Sequence, residues 1–189
     1  MKKKNILELD WDDGESLYDD VSFLLFHSVA PSYAFVDDLN KLYHLNLCRT
    51  HDMTLDGKEW PLFTDCDNMM KLDYYLVEKP IAADDGSSFW TGGHKLLIVK
   101  GDRAKALVDR IHDEFSSPAD SYDETDLLAR EHAELLESLR GGFTTTTRIT
   151  PSLPPSVTLS RKAQRDYNAL CHMLEQILDY IDMEKICDN

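Results

Sequence analysis

The chain has 189 residues, of which 42% are hydrophobic and 29% charged, a composition that excludes collagen-like, fibrous and wholly disordered classes. Lys and Arg number 20 against 35 Asp and Glu, a formal net charge of -15. A surface this negative repels phosphate backbones, so sequence-reading nucleic-acid binding is disfavoured.

No segment approaches the roughly 20 uninterrupted apolar residues of a membrane helix, the longest candidate, 21–29, being broken by His27 and Ser28. The basic start, Met1 to Asn5, is followed by acids and not by the apolar run of an export signal. A cytoplasmic protein without membrane contact is expected. Cys48, Cys66, Cys171 and Cys187 are scattered, with the spacing of neither a disulfide scaffold nor a zinc ribbon, so reduced thiols are expected.

Along the chain, Leu7, Leu9 and Trp11 alternate with polar residues, and Val21 to Phe26 is a β-rich apolar run; both predict strands. After Pro31, Ser32 is placed to cap a helix carrying Phe35, Val36, Leu39, Leu42 and Tyr43 at helical intervals, ending near Leu45. Strand patterns follow in 47–55, 60–66 and 72–78, with Asp56-Gly57 and the Asp65 to Asn68 segment as hairpin turns. Residues 80–94 have a loop composition. Lys95 to Lys100 then predicts a buried strand, and Asp102 a cap for a helix to about Phe115.

Strands grouped beside a few helices argue for an α+β fold, an antiparallel meander with helices on one face, followed by C-terminal helices. The expected division is a core domain of residues 1–115 and a C-terminal helical extension of residues 116–189. In the extension, Asp123 to Leu139 is helical by pattern. The Thr- and Pro-rich stretch at about 140–158 offers little apolar mass and is expected to be an extended linker. Ser160 then caps a long helix to about Ile186, with Ala163, Tyr167, Leu170, Leu174, Ile177 and Ile181 spaced four, three, four, three and four.

Residues 33–47, with Tyr33 and the pair Leu39-Asn40, resemble the first helix of a small bacterial family of IPExxxVDY type, named for an Ile-Pro-Glu-x-x-x-Val-Asp-Tyr motif. Phe63, Tyr74-Tyr75 and the strand Lys95 to Lys100 leading into Gly101-Asp102 follow in the order that family places them. The resemblance covers roughly residues 5–115 and implies a single α+β domain. Where the name-giving motif would precede the last strand, this chain reads Ser87-Ser-Phe-Trp-Thr-Gly-Gly-His-Lys95. No activity, cofactor or site residue is carried over.

His44, Cys48 and His51 fall within eight residues, with Cys66 further on, and are zinc-type ligands by chemistry. Their spacing is not that of two tight ligand pairs, so a buried Cys and two partly exposed His are expected, and no metal. The acidic stretch Asp10, Asp12, Asp13, Glu15, Asp19 and Asp20 fails an EF-hand register, because Gly14 stands fifth and Val21 stands twelfth from Asp10. Neither a nucleophile elbow nor a phosphate loop is present. Gly92-Gly93-His94 reads as a turn, and Cys171-His172 point about 100° apart on a helix, poorly placed as nucleophile and base. No catalytic residue and no cofactor are assigned, and an enzyme is the less favoured class.

The favoured function is a non-catalytic protein-interaction or regulatory module. Its C-terminal helix would associate with a partner helix or with its own copy as a homodimer, through Tyr167, Leu170, Leu174, Ile177 and Ile181. The competing packing places that stripe on the chain's own domain. The alternative function is a small-molecule-binding or enzymatic module with a pocket at the aromatic meander, near Trp60, Tyr74, Tyr75 and Trp90. A nucleic-acid mimic, suggested by the net charge alone, ranks third.

Overall fold

The structure, a computed structural model, describes residues 18, 20–28, 30–67, 71–83, 90–116, 127–141, 144–151 and 160–187. Six strands, β1 (Val21–His27), β2 (Cys48–Leu55), β3 (Lys58–Asp67), β4 (Leu72–Glu78), β5 (Lys95–Lys100) and β6 (Thr145–Ile149), form one antiparallel sheet in the order β2-β3-β4-β5-β1-β6. Among the described residues four α-helices accompany it: α1 (Ser32–Tyr43), α2 (Ala104–Ser116), α3 (Leu127–Gly141) and α4 (Arg161–Cys187). The fold is α+β, with the expected meander running from β2 to β5. The expected strand around Leu7 to Trp11 and all of the acidic stretch except Asp20 lie outside the described residues, as do residues 84–89 of the segment with a loop composition and the Pro-rich run 152–159.

The central strands determine the layering. Phe23, Leu24, Leu25 and Phe26 of β1 and Leu96, Leu97, Ile98 and Val99 of β5 are all buried, so apolar side chains leave both faces of the sheet and both need a cover. On one face Leu24, Phe26, Tyr74, Leu76, Leu97 and Val99 meet Phe35 and Leu39 of α1, Val108 and Ile111 of α2, and Leu136 and Leu139 of α3. On the other, Phe23, Leu25, Leu62, Val77, Leu96 and Ile98 meet Leu170, Leu174, Ile177 and Ile181 of α4.

Local chemistry fixes the connections. Asp56 and Gly57, at φ 50° and 72°, make the two-residue turn joining β2 to β3, the geometry that matches the twist of a hairpin. His44 ends α1 in the left-handed region, and Asn40 clamps the chain that follows. Its Oδ1 accepts the Leu47 N–H at 2.9 Å and its Nδ2 donates to the Leu47 carbonyl at 3.1 Å. Ser160 caps α4 by accepting the Ala163 N–H at 3.2 Å. Ser32 does not cap α1. It is the first helical residue behind Pro31, and its hydroxyl bonds the Glu78 carboxylate instead.

Two further expectations, both about the C-terminal part, are corrected. Within the segment expected to be a linker, Thr145–Ile149 is strand β6, paired with β1 from His27↔Thr145 to Phe23↔Ile149. β-Branched threonines suit an edge position, and β6 covers the flank of a strand whose backbone would otherwise be an open edge. Side chains secure it: the Thr144 hydroxyl donates to Ser28 Oγ at 3.1 Å, His112 Nδ1 lies 2.8 Å from Thr146 Oγ1, and Arg148 reaches Asp113 at 2.6 Å and Asp109 at 3.2 Å on α2. The second correction concerns the stripe of α4 expected at an interface. Leu170, Leu174, Ile177 and Ile181 are 5, 0, 0 and 1% exposed, packed on the chain's own sheet, and Tyr167 is half-buried. The reason is the apolar second face of the sheet. The part beyond residue 116 thus contributes to both hydrophobic clusters.

Two outcomes follow for stability. Leu174→Ala lowers the unfolding free energy by about 2–5 kcal/mol, the range for truncating a fully buried leucine, measurable by urea denaturation. Brief proteolysis of the native chain spares 144–151, because its backbone is held in the sheet; cutting there at the rate of an exposed loop would contradict the pairing.

Candidate functional site

Side chains alternate across a strand, so antiparallel register decides which polar residues meet at the end of the sheet where β1 and β4 finish and β5 and β6 begin. His27 closes β1 and stands opposite His94, one residue beyond the pair Phe26↔Lys95. The Lys79 N–H donates to the His94 carbonyl at 3.0 Å, and Gly93 donates to the Lys79 carbonyl at 2.7 Å, continuing the β4–β5 ladder. On β6, Thr145 stands opposite His27, and Thr147, two residues along on the same face, is its diagonal neighbour. On the face covered by α4, the order across the sheet is therefore Thr145, His27, His94, Lys79 and, on β3, Trp60, with Thr147 diagonal to His27.

The contacts in this row are specific. His27 Nδ1 lies 3.3 Å from His94 Nδ1, with ring centroids 4.9 Å apart and planes at 85°. His27 Nε2 lies 2.8 Å from Thr147 Oγ1. Burial lowers the His27 pKa and favours its neutral form. Lys79, 1% exposed, donates from Nζ to the Trp90 carbonyl at 2.6 Å, and the Trp90 indole N–H donates to the His94 carbonyl at 3.0 Å. Gly93, at φ 85°, turns the chain into β5. A Cβ at Gly92 would come within 2.6 Å of Ile81 Cα, so this glycine is a packing requirement as well as a turn residue.

Beside Lys79 a groove of about 270 Å³ opens between the β2–β3 hairpin and α4. Its walls include Asp56, Lys58 and Trp60 on the hairpin, Lys79 and Ala83, and Ala169, His172, Met173 and Gln176 on α4. Trp60 is 5% exposed and packs edge-to-face on Trp90, with centroids 5.4 Å apart. Its buried Nε1–H meets no acceptor among the described residues. Buried indole N–H groups are ordinarily bonded.

On the opposite face, Glu78 and Lys95 are cross-strand partners, and Lys95 is 1% exposed. Its ammonium donates to the Ala30 and Gly93 carbonyls, both at 2.9 Å, and stands 5.3 Å from the Phe35 ring centre. Burial lowers the Lys95 pKa, against the pull of Glu78. Burial likewise raises the Glu78 pKa, opposed by Lys95 and Arg49. These contacts tie the start of α1 to the sheet.

The sequence-derived candidates are dispersed. His44 is exposed at the end of α1, Cys48 and Cys66 are exposed, and the His51 ring tilts against Tyr180 of α4 at 6.2 Å. The expectation of a buried Cys48 is corrected, because the first residues of β2 face solvent at a sheet edge. Among the described residues, no three His, Cys, Asp or Glu side chains group closely enough to hold a metal ion. In the aromatic set, Tyr74 lies on the α1 face while Trp60, Tyr75 and Trp90 share the α4 face, and of the four only Trp60 lines the groove. Cys171 Sγ points at the Pro151 carbonyl at 3.7 Å, while His172 lines the groove. Sequence reasoning passed over His27, Lys79, His94 and Lys95. The available signal was strand alternation extended one residue past each strand end, but that needs the pairing register.

The Glu78 carboxyl gives a pH signature. Its folded pKa lies above the ordinary 4.5, so the folded state binds the proton more tightly, and the corresponding stability, full below pH 4.5, is lost as pH rises through the folded value. Urea unfolding of the native chain and of Glu78→Gln between pH 4 and 7 is expected to show the native chain losing stability relative to the variant as pH rises. A difference that grows in the opposite direction would place Glu78 in a solvated or strongly ion-paired setting.

No protein-family model matches the chain, and no curated protein matches it.

Proposed function

We propose that the chain is a small-molecule-binding α+β module whose ligand lies in the groove between the β2–β3 hairpin and α4. The observation that carries this reading is the groove itself, about 270 Å³ and lined by Trp60 together with Asp56, Lys58, Lys79, His172 and Gln176. Lys58 and Lys79 line it against one acid, Asp56, in a chain of net charge -15. This local excess of basic side chains suits a ligand with a flat apolar body and an anionic substituent. A hydrogen-bond acceptor on the ligand would also satisfy the Trp60 N–H.

Association through α4, the function favoured by sequence, would have to use the polar outer side of that helix, since its apolar stripe is occupied. Kinship with the IPExxxVDY-type family, as we read it, rests on the order of Tyr33, Leu39-Asn40, Phe63, Tyr74-Tyr75 and the strand from Lys95.

The test uses 1-anilinonaphthalene-8-sulfonate, which is flat and carries one negative charge. Its fluorescence is expected to rise and saturate at one equivalent of native chain. Ala169 is an exposed helical position on the groove wall, so Ala169→Trp fills the groove while the unfolding midpoint holds, and weakens binding at least tenfold. Undiminished dye binding by this variant would sink the proposal.

A further inference from the structure

We propose that His27 and His94 form a two-imidazole site for a first-row divalent cation, tested with zinc, separate from the groove. The two ring nitrogens face one another at 3.3 Å, within reach of one N–H···N hydrogen bond when one of them carries the proton. Two imidazoles on one tetrahedral zinc, each at about 2.0–2.1 Å, place their nitrogens about 3.3–3.4 Å apart. The pair is thus spaced as one edge of a coordination tetrahedron. A shared ion would take one lone pair from each ring, with water filling the remaining positions.

The second observation is how the pair is held. Directly opposed positions in an antiparallel sheet fix the two backbones, on β1 and at the start of β5. His27 Nε2, the nitrogen that would not face the ion, lies 2.8 Å from Thr147 Oγ1 on β6. Metal-binding histidines ordinarily have such an outer partner, which fixes the tautomer and orients the ring. His27 and His94 are both partly exposed, so a hydrated ion can reach them. The net charge of -15 favours a cation over the whole surface. Lys79, the next residue across the sheet from His94, opposes it, and its ammonium stays on the Trp90 carbonyl. Two protein ligands beside one cationic neighbour make a site of modest affinity, exchanging with solution.

The experiment is a zinc titration of the full-length, metal-free chain at pH 7.5, followed by the imidazole nitrogen resonances so that each histidine reports separately. The Nδ1 signals of His27 and His94 are expected to shift together and saturate at one equivalent. His27→Gln and His94→Gln each weaken that binding at least tenfold, and Thr147→Val weakens it about tenfold through loss of the outer partner. Zinc that moves only His44, His51 or His172, or that leaves the His27 and His94 nitrogens unshifted in the native chain, overturns the proposal whatever the variants do. Retention of full affinity in the His27→Gln, His94→Gln double variant overturns it as well.

Discussion

The structure depends on a sheet whose central strands are apolar on both sides. In β1 and β5, eight consecutive-facing positions, Phe23 to Phe26 and Leu96 to Val99, are buried. At about 25 cal/mol for each Å² of apolar surface removed from water, leaving one face of such strands bare would forfeit a large part of the folding free energy. Two covering layers are therefore required. α1, α2 and α3 supply one, and α4 supplies the other, the role that absorbs its heptad-like stripe.

This constraint also explains where the polar chemistry sits. The buried interiors of β1 and β5 have no room for charge, and His27, Glu78, Lys79, His94 and Lys95 gather at one end of the sheet, where strands pass into turns. There the two buried lysines take main-chain carbonyls as acceptors, Trp90 for Lys79, and Ala30 and Gly93 for Lys95. A buried ammonium without such acceptors would carry a heavy desolvation cost. The carbonyls involved belong to the segments leading into α1 and β5, so the same bonds that solvate the lysines also order this end of the sheet. The histidine pair and the groove lie on the side covered by α4, and the Glu78–Lys95 pair on the side covered by α1, separated by the sheet itself.

β6 shows how a weakly apolar segment can be structural. Of its five residues only Ile149 is buried, yet the strand is bound through β1, through α2 by way of His112, Asp109 and Asp113, and through His27. Its stabilisation comes from backbone pairing and polar side-chain contacts, each worth about 1 kcal/mol, acting together. Composition alone reads such a segment as a linker because those contacts lie far away in sequence.

The elements governed by local rules were legible in the order of residues alone. Period-two and helical patterns placed β1 to β5 and the helices, Asp56-Gly57 specified a hairpin, Ser160 marked the start of α4, and the order of elements implied an α+β fold. These follow from backbone sterics and nearby hydrogen bonds, which a short window contains. What α4 packs against emerged from the folded molecule, because a stripe of Leu and Ile fits a partner helix or the chain's own sheet equally well. The fold alone made a strand of Thr145–Ile149 and brought His27 beside His94, 67 residues away in the chain. Both depend on strand register, and register is set by how whole faces of the sheet are buried, a property no single segment carries.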